Sequence, residues 1–310
     1  MTLFICYLLI FFATRAFCAS IHASWLIARQ NQGCPAVWST ISDDLGDAFF
    51  AGGKCNDLAR GAIRYAFHDA ATFSQSLSSH GPASGGADGS LLLNGQEIKR
   101  EENAGLEQYH GYITRKFDQY ESQGVGAADL VQFAGAVAIV TCPGGPTVRA
   151  LIGRNDSSED SPRGLLPTAF GPGSDHDTLL QLFQEKGFSA VELAALIGAH
   201  TVSKATAQRE IRPGTPQDTT PGAWDVQYYA NVYKRPRGIA HFDSDLSLSD
   251  VNTTVGEAFQ SFVGNRDGWL TTFASAMSKM SLLGVDPTKA DGFIDCTDAL
   301  PRPVLAQRKI

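Results

Sequence analysis

Runs of lysine and arginine are missing from this chain, and charge of either sign is scarce, at 18% of 310 residues. What charge there is sums to −7 at pH 7. An acidic chain without basic runs lacks the electrostatic footprint that nucleic acid or an anionic membrane surface requires. Strand patterns are scarce too, and no internal repeat or heptad is found, so solenoids and coiled coils are excluded. Beyond the first twenty residues no segment is long and apolar enough to span a bilayer. Neither nucleic acid nor membrane is therefore expected as a partner.

What is present is an ordinary globular balance, 43% hydrophobic with 31 glycines. That is enough for a sizeable core in one large domain or two smaller ones. Leu3 to Ala13 is almost continuously apolar but too short to cross a membrane, and Ala16, Cys18, Ala19 and Ser20 follow. This pattern predicts a secretory signal peptide over residues 1–20; a signal anchor is the alternative, because no Lys or Arg precedes the apolar run. Asn155-Asp156-Ser157 and Asn252-Thr253-Thr254 match the N-glycosylation pattern of exported chains. Removing the leader removes Cys6 and Cys18 and leaves Cys34, Cys55, Cys142 and Cys296. An even number of cysteines suits an oxidising compartment, and three pairings are open.

Helical periodicity dominates. It predicts helices from Ala36 to Phe50, Asp57 to Phe73, Leu106 to Tyr120, Ala127 to Val140, Thr178 to Lys186, Ser189 to Val202 and Trp269 to Leu283. Ser189 and Glu192 form a capping-box pattern. Long Gly/Ser/Pro stretches lie between, at Ser74 to Ser90, Gly144 to Pro172 and Pro213 to Pro221. Loops of that length in a compact domain are functional or pinned by something.

Four constellations could carry chemistry. Within Arg64-Tyr65-Ala66-Phe67-His68-Asp69, helical spacing puts Arg64 and His68 on one face with Phe67 beside them. A cation that cannot lose its proton then stands beside a base that can, which suits moving a proton between two oxygens while charge develops on one. By itself the pair equally describes a helix with a solvated arginine and a half-buried histidine. Val191 to Thr201 is an apolar helix ending in His200, with Gly198 and Ala199 leaving room for something bulky near the backbone. A neutral imidazole there could ligate haem iron, or could be a C-terminal histidine favoured by the helix dipole. Asp69 with Gly85-Gly86-Ala87-Asp88-Gly89-Ser90, and Thr201 with Asp218 to Asp225, are oxygen-rich clusters without Cys or His. Such clusters suit calcium, although Asp, Gly and Thr are also turn residues.

Together and in this order the motifs resemble those of the secreted fungal haem peroxidases, class II of the plant-type peroxidase superfamily. The resemblance runs over roughly residues 34–300: R-x-x-F-H-D at Arg64 to Asp69, G-G-A-D-G-S at Gly85 to Ser90, and Glu97 with Asn103-x-Gly105-Leu106. Cys142-Pro143-Gly144, G-A-H-T at Gly198 to Thr201, D-x-T-P-G-x-x-D from Asp218, and Ser244-Asp245 complete it. It implies an all-α, two-domain fold with one haem b between a distal domain, residues 21–165, and a proximal domain, residues 166–310. Arg64, Phe67 and His68 would form the peroxide side, with Asn103, backed by Glu97, accepting the Nδ1 proton of His68. His200 would ligate the iron and Asp245 would accept its other ring N–H. Two calcium ions are implied, one at Asp69, Gly86, Asp88 and Ser90, the other at Thr201, Asp218, Thr220, Ala223 and Asp225. The implied disulfides are Cys34–Cys296 and Cys55–Cys142.

Of three departures, the first two bear on the electron donor and the third on stability. Ala195 stands where lignin-oxidising relatives carry a tryptophan five residues before the proximal histidine. At the three carboxylate positions of manganese-oxidising relatives this chain has Asp57, Gly61 and Thr206. Nothing near Glu257 matches the cysteine of the family's additional disulfide. The expectation is a secreted, monomeric haem peroxidase that reduces hydrogen peroxide and oxidises phenolic or other small aromatic donors by one-electron steps. The alternatives are a manganese-oxidising peroxidase with a different carboxylate set and a secreted haem-binding protein with little turnover. The second fits poorly with Arg64 and His68 together, since holding haem needs no such pair.

Overall fold

A computed structural model describes residues 33–78, 85–206 and 211–305; the expected signal peptide lies outside the described residues. The chain is mostly helical. In order, the principal helices are α1 (Ala36–Phe49), α2 (Asp57–Ala70), α3 (Glu107–Tyr120), α4 (Ala127–Thr141) and α5 (His176–Gln184). They continue with α6 (Ala190–Leu196), α7 (Gln227–Lys234), α8 (Asp243–Leu248), α9 (Thr254–Ser261) and α10 (Arg266–Met280). All seven helices expected from periodicity are present, with ends moved by local hydrogen bonds. α2 stops at Ala70, where the Thr72 hydroxyl turns back to the Asp69 carbonyl at 2.8 Å. α5 starts early because Asp175 caps it through the Thr178 amide at 3.0 Å, and α10 because Asn265 accepts from the Gly268 amide at 3.2 Å. The Ser189–Glu192 capping box is formed in both directions. The only sheet among the described residues is the antiparallel pair β1 (Leu151–Ile152) and β2 (Ile294–Asp295), with Leu151 opposite Asp295.

α4 is the pedestal of the first half. Its sequence is apolar nearly all round, and all 15 residues are buried, as expected of a helix enclosed on every side. α2 lies closely on it. A Cβ on Gly135 would stand 2.7 Å from the Cβ of Ala66, so only glycine allows this approach. In the second half α6 is the centre, packed by α9 and α10. One apolar core runs through both halves, and a small separate cluster of Ala205, Ala240 and Phe242 lies beside Phe170 and Ile211.

Polar ties hold the pedestal in place. Asp129 of α4 pairs with Arg154 at 2.8 Å, with side-chain exposures of 7% and 1%. The same carboxylate accepts the amides of Gly153 and Arg154, and Arg154 donates onward to the Ser281 carbonyl beyond α10. The disulfides Cys34–Cys296 and Cys55–Cys142 are both formed. The first ties the start of α1 to the end of β2; the second ties the entrance of α2 to the exit of α4.

Removing one partner of a buried ion pair strands the other. Asp129→Ala is expected to lower the unfolding free energy by about 3–5 kcal/mol, measured by urea denaturation. The double variant Asp129→Leu/Arg154→Met should recover only part of that loss, because the amides of Gly153 and Arg154 still lose their acceptor.

Candidate active site

Helix α2 presents Arg64 and His68 on the face opposite its alanines, as the four-residue spacing requires. Arg64 Nε donates to His68 Nε2 at 3.1 Å, and its Nη groups donate to the carbonyls of Ala104 and Glu102 at 2.9 and 3.2 Å. On the other side of the ring His68 Nδ1 lies 2.8 Å from Asn103 Oδ1. Asn103 Nδ2 donates to the Glu97 backbone carbonyl at 2.8 Å, which orients the amide and leaves Oδ1 to accept. His68 therefore carries its proton on Nδ1 and exposes a lone pair on Nε2. Burial first, and the Arg64 cation second, hold this imidazole well below the usual histidine range, so it stays neutral. Desolvation also lowers Arg64, to about 10, which leaves it charged at neutral pH.

Two further expected contributors, Glu97 and Phe67, border this side. Glu97 backs Asn103 through its main chain, not its carboxylate. Its buried carboxylate accepts instead from the Ser161 amide at 2.6 Å and the Ser161 hydroxyl at 2.8 Å, pinning the following loop. Phe67 does neighbour His68, edge-on at 5.6 Å, and stacks on Phe183 of α5 at 6.3 Å.

His200 sits in a 3-10 turn, Ile197–Val202, that continues α6. The expected single helix to Val202 breaks there for a visible reason. The Tyr229 hydroxyl takes the Ala194 carbonyl at 2.8 Å and the Trp269 indole N–H takes that of Ala195 at 3.0 Å. The space over Gly198 is likewise filled: a Cβ there would meet Tyr229 Oη at 2.3 Å and Trp269 Nε1 at 2.5 Å. The bulky groups for which Gly198 leaves room near the backbone are thus this chain's own aromatics.

His200 Nδ1 lies 3.0 Å from Asp245 Oδ1. Of the three nearby aspartates, Asp245 is the one that meets it; Asp243 faces the Gly171 amide and Asp250 the Asn252 amide. Asp245 comes from α8, a helix the sequence pattern did not reveal. Phe242 and Tyr228 stand edge-on to the imidazole, each at 5.8 Å. The ring keeps 30% of its side-chain surface open, against 2% for Asp245. An imidazole anchored through Nδ1–H on a buried carboxylate, partly open and flanked by apolar rings, is a donor that fits haem iron. Gln217 also reaches this pair and was missed in the sequence, where it reads as one polar residue of a Pro/Gly-rich stretch.

The oxygen clusters are assembled as well. Asp69 is fully buried and accepts from the amides of Gly89 and Leu91 and from Gln132 of α4. Burial, and then the charge of Asp88, push its carboxyl well above the usual carboxylate range. Ser90 Oγ is buried nearby without a hydrogen-bond partner, and the Gly86 carbonyl accepts the Asp88 amide at 2.8 Å. In the second cluster Asp218 collects the hydroxyls of Thr201 and Thr220 at 2.9 and 3.0 Å, and Thr220 also bonds Asp225 at 2.9 Å. Ala223 closes that turn through its amide on the Thr220 carbonyl at 3.0 Å. Like-charged, desolvated carboxylates beside an orphaned hydroxyl fit a hard cation. Among the described residues no three His, Cys, Asp or Glu side chains gather at one point, so hydroxyl and carbonyl oxygens would have to complete either site.

At the manganese positions Asp57 is held by Arg60 at 2.7 Å and Lys204 at 2.9 Å. A Cβ on Gly61 would lie 2.8 Å from Tyr109, so no longer side chain fits there without a shift. Ala195 is fully buried.

The peroxidase family model matches residues 41–265. The chain is 31% identical over 292 residues to a versatile peroxidase of Pleurotus eryngii, covering 88% of this chain and 76% of that protein. It is 32% identical over 299 residues to a peroxidase of Arthromyces ramosus, covering 89% and 78%. It is 32% identical over 306 residues to a manganese peroxidase of Phanerodontia chrysosporium, covering 90% and 76%.

Replacing Asn103 by Leu removes the acceptor for the Nδ1 proton. The expected result is a shift of His68 toward the Nε2–H tautomer, read from nitrogen chemical shifts of labelled histidine, with about 1–3 kcal/mol of stability lost.

Proposed function

The chain belongs to the peroxidase family and is a haem peroxidase; from that premise we propose that it is secreted and oxidises phenols and other small aromatic donors in one-electron steps. The observation that carries the catalytic reading is the continuous hydrogen-bonded line Glu97–Asn103–His68–Arg64, which holds a neutral base of defined tautomer beside a cation. Bound haem would supply the iron that receives peroxide and the oxidising equivalents that donors then reduce. Its place would be between a distal part, residues 21–165, and a proximal part, residues 166–310, with His200 as the iron ligand.

This chain's side chains then have distinct tasks. His68 Nε2 accepts a proton from hydrogen peroxide and returns it to the departing oxygen, which leaves as water. Hydrogen peroxide would take over the lone pair that Arg64 Nε occupies. Arg64 is thereby freed to stabilise the negative charge on the departing oxygen. Asn103 keeps Nδ1 protonated throughout, so the same nitrogen acts as base and then as acid. Asp245 draws on the Nδ1 proton of His200 and increases the electron donation of its other nitrogen. The clusters at Asp69 and Asp218 would each hold one calcium ion, and each includes the residue directly after a histidine, Asp69 after His68 and Thr201 after His200.

The neighbourhood of Asp57 and Gly61 supports organic donors over manganese, because the one carboxylate present is already paired with two cations. Buried Ala195 supports oxidation at the haem edge over transfer through an aromatic at that position. Export is supported by the two disulfides, by the exposure of Asn155 and Asn252 in their glycosylation patterns, and by the leader-like first twenty residues. No helix among the described residues is long and apolar enough to cross a membrane.

The direct test is steady-state turnover of the haem-loaded protein with peroxide and a phenol, manganese(II) or a high-potential non-phenolic aromatic. The phenol should be consumed and the other two should not; manganese turnover would overturn the donor assignment. His68→Leu should abolish peroxide-driven turnover while the haem stays bound, and an unchanged rate of reaction with peroxide would remove His68 from the mechanism. Calcium removal by a chelator, verified by elemental analysis, should lower the melting temperature and slow turnover. Unchanged activity in a calcium-free protein would disconnect the oxygen clusters from the histidines.

A further inference from the structure

Gln217 is 1% exposed, yet it is neither an expected site residue nor an apolar filler. Its Nε2 donates to Asp245 Oδ2 at 2.9 Å and lies 3.2 Å from His200 Nδ1. Its Oε1 accepts the Ser203 hydroxyl. Its own amide is fixed by the Ser203 carbonyl at 3.1 Å. The orientation of the side chain follows from chemistry, because only the NH2 end can face an ionised carboxylate and only the oxygen can accept from serine. Asp245 is therefore shared. One oxygen takes the proton-bearing Nδ1 of the proximal imidazole and the other takes the glutamine amide.

We infer that Gln217 is a positioning residue that limits, through Asp245, how strongly His200 donates electrons to a bound metal. The inference rests on the reading of His200 as the iron ligand. A hydrogen bond to an ionised acceptor is roughly twice as strong as one between neutral groups. It also withdraws charge from the carboxylate, so Oδ1 pulls less on the Nδ1 proton and the imidazole gains less imidazolate character. The contact at 3.2 Å to His200 acts in the opposite sense, because an amide hydrogen near Nδ1 would favour loss of that proton. It is the longer of the two and faces a nitrogen that is already donating, so the charge-assisted bond to Asp245 decides the direction. Ser203 serves as the peg: without it the glutamine could rotate away from the carboxylate.

The test uses the haem-loaded protein and Gln217→Met, which keeps the side-chain length and removes the donor. Two quantities other than turnover are read: the iron–histidine stretching band of the ferrous form by resonance Raman, and the ferric/ferrous midpoint by equilibrium titration. The expected result is a band at higher frequency and a more negative midpoint. Ser203→Ala, which keeps the glutamine, should shift both the same way by less, and it carries the test if Gln217→Met does not fold. Unchanged band and midpoint in a folded variant would overturn the role of Gln217 while leaving His200 as ligand. Absence of the band from the parent protein, or its persistence in His200→Ala, would overturn the ligand assignment and the inference with it.

Discussion

At Gly135 the backbone of α4 comes near enough to α2 that any side chain larger than hydrogen would meet the methyl group of Ala66. That contact sets the rotation of α2 about its own axis. Ala59, Ala62, Ala66 and Ala70 are all buried, and they repeat at three- and four-residue intervals along one stripe. With the small stripe pressed on α4, Arg64 and His68, each two residues from Ala66, are turned about 200° away from it. The last turn of the same helix carries Asp69, whose carboxylate is tied to Gln132 of α4. One steric constraint thus orders His68, Arg64 and the first oxygen cluster together. Since α4 is anchored through Asp129 and Arg154 to the turn after α10, a disturbance far from His68 would still tilt it.

The two histidines are fixed by the same device used with different acceptors. Each gives its Nδ1 proton to an oxygen held rigidly by further hydrogen bonds. At His68 the acceptor is a neutral amide, which sets the tautomer and adds no charge. At His200 it is a buried carboxylate, which makes the imidazole a stronger donor. A base must be able to gain and lose a proton at Nε2, whereas a ligand must keep its lone pair on a metal. An amide for the first and a carboxylate for the second suit the roles of base and iron ligand proposed for them.

Much of this was legible in the chain because it depends on local spacing. The i, i+4 relation of Arg64 and His68, the capping box at Ser189 and the long apolar stretch of α4 are readable from sequence alone. The choice of Asp245 among three aspartates came from resemblance and agrees with the geometry. What was not legible depends on partners distant in the chain. α7, α8 and α9 are short, six to eight residues, and their apolar positions acquire a face only against distant partners: α9 on α6, α7 on the turn after α6, and α8 on α5. The end of α6 reads as helix until Tyr229 and Trp269, more than thirty residues away, take its carbonyls. The backbone role of Glu97 is invisible because the side chain attracts the attention, and Gln217 is invisible because nothing local separates it from other loop residues.

The bond between Cys34 and Cys296 closes nearly all of the described chain into a covalent ring. A single proteolytic nick in any exposed loop inside that ring opens it without parting the pieces, and two cuts are needed before a segment can drift away. The crosslink between Cys55 and Cys142 protects a smaller loop within the larger one, and it encloses both Arg64 and His68. For an enzyme proposed to work outside the cell, this nested circularity means that loss of backbone continuity and loss of shape are separate events. The Gly/Ser/Pro stretches between helices can then be long and accessible without each becoming a point of disassembly.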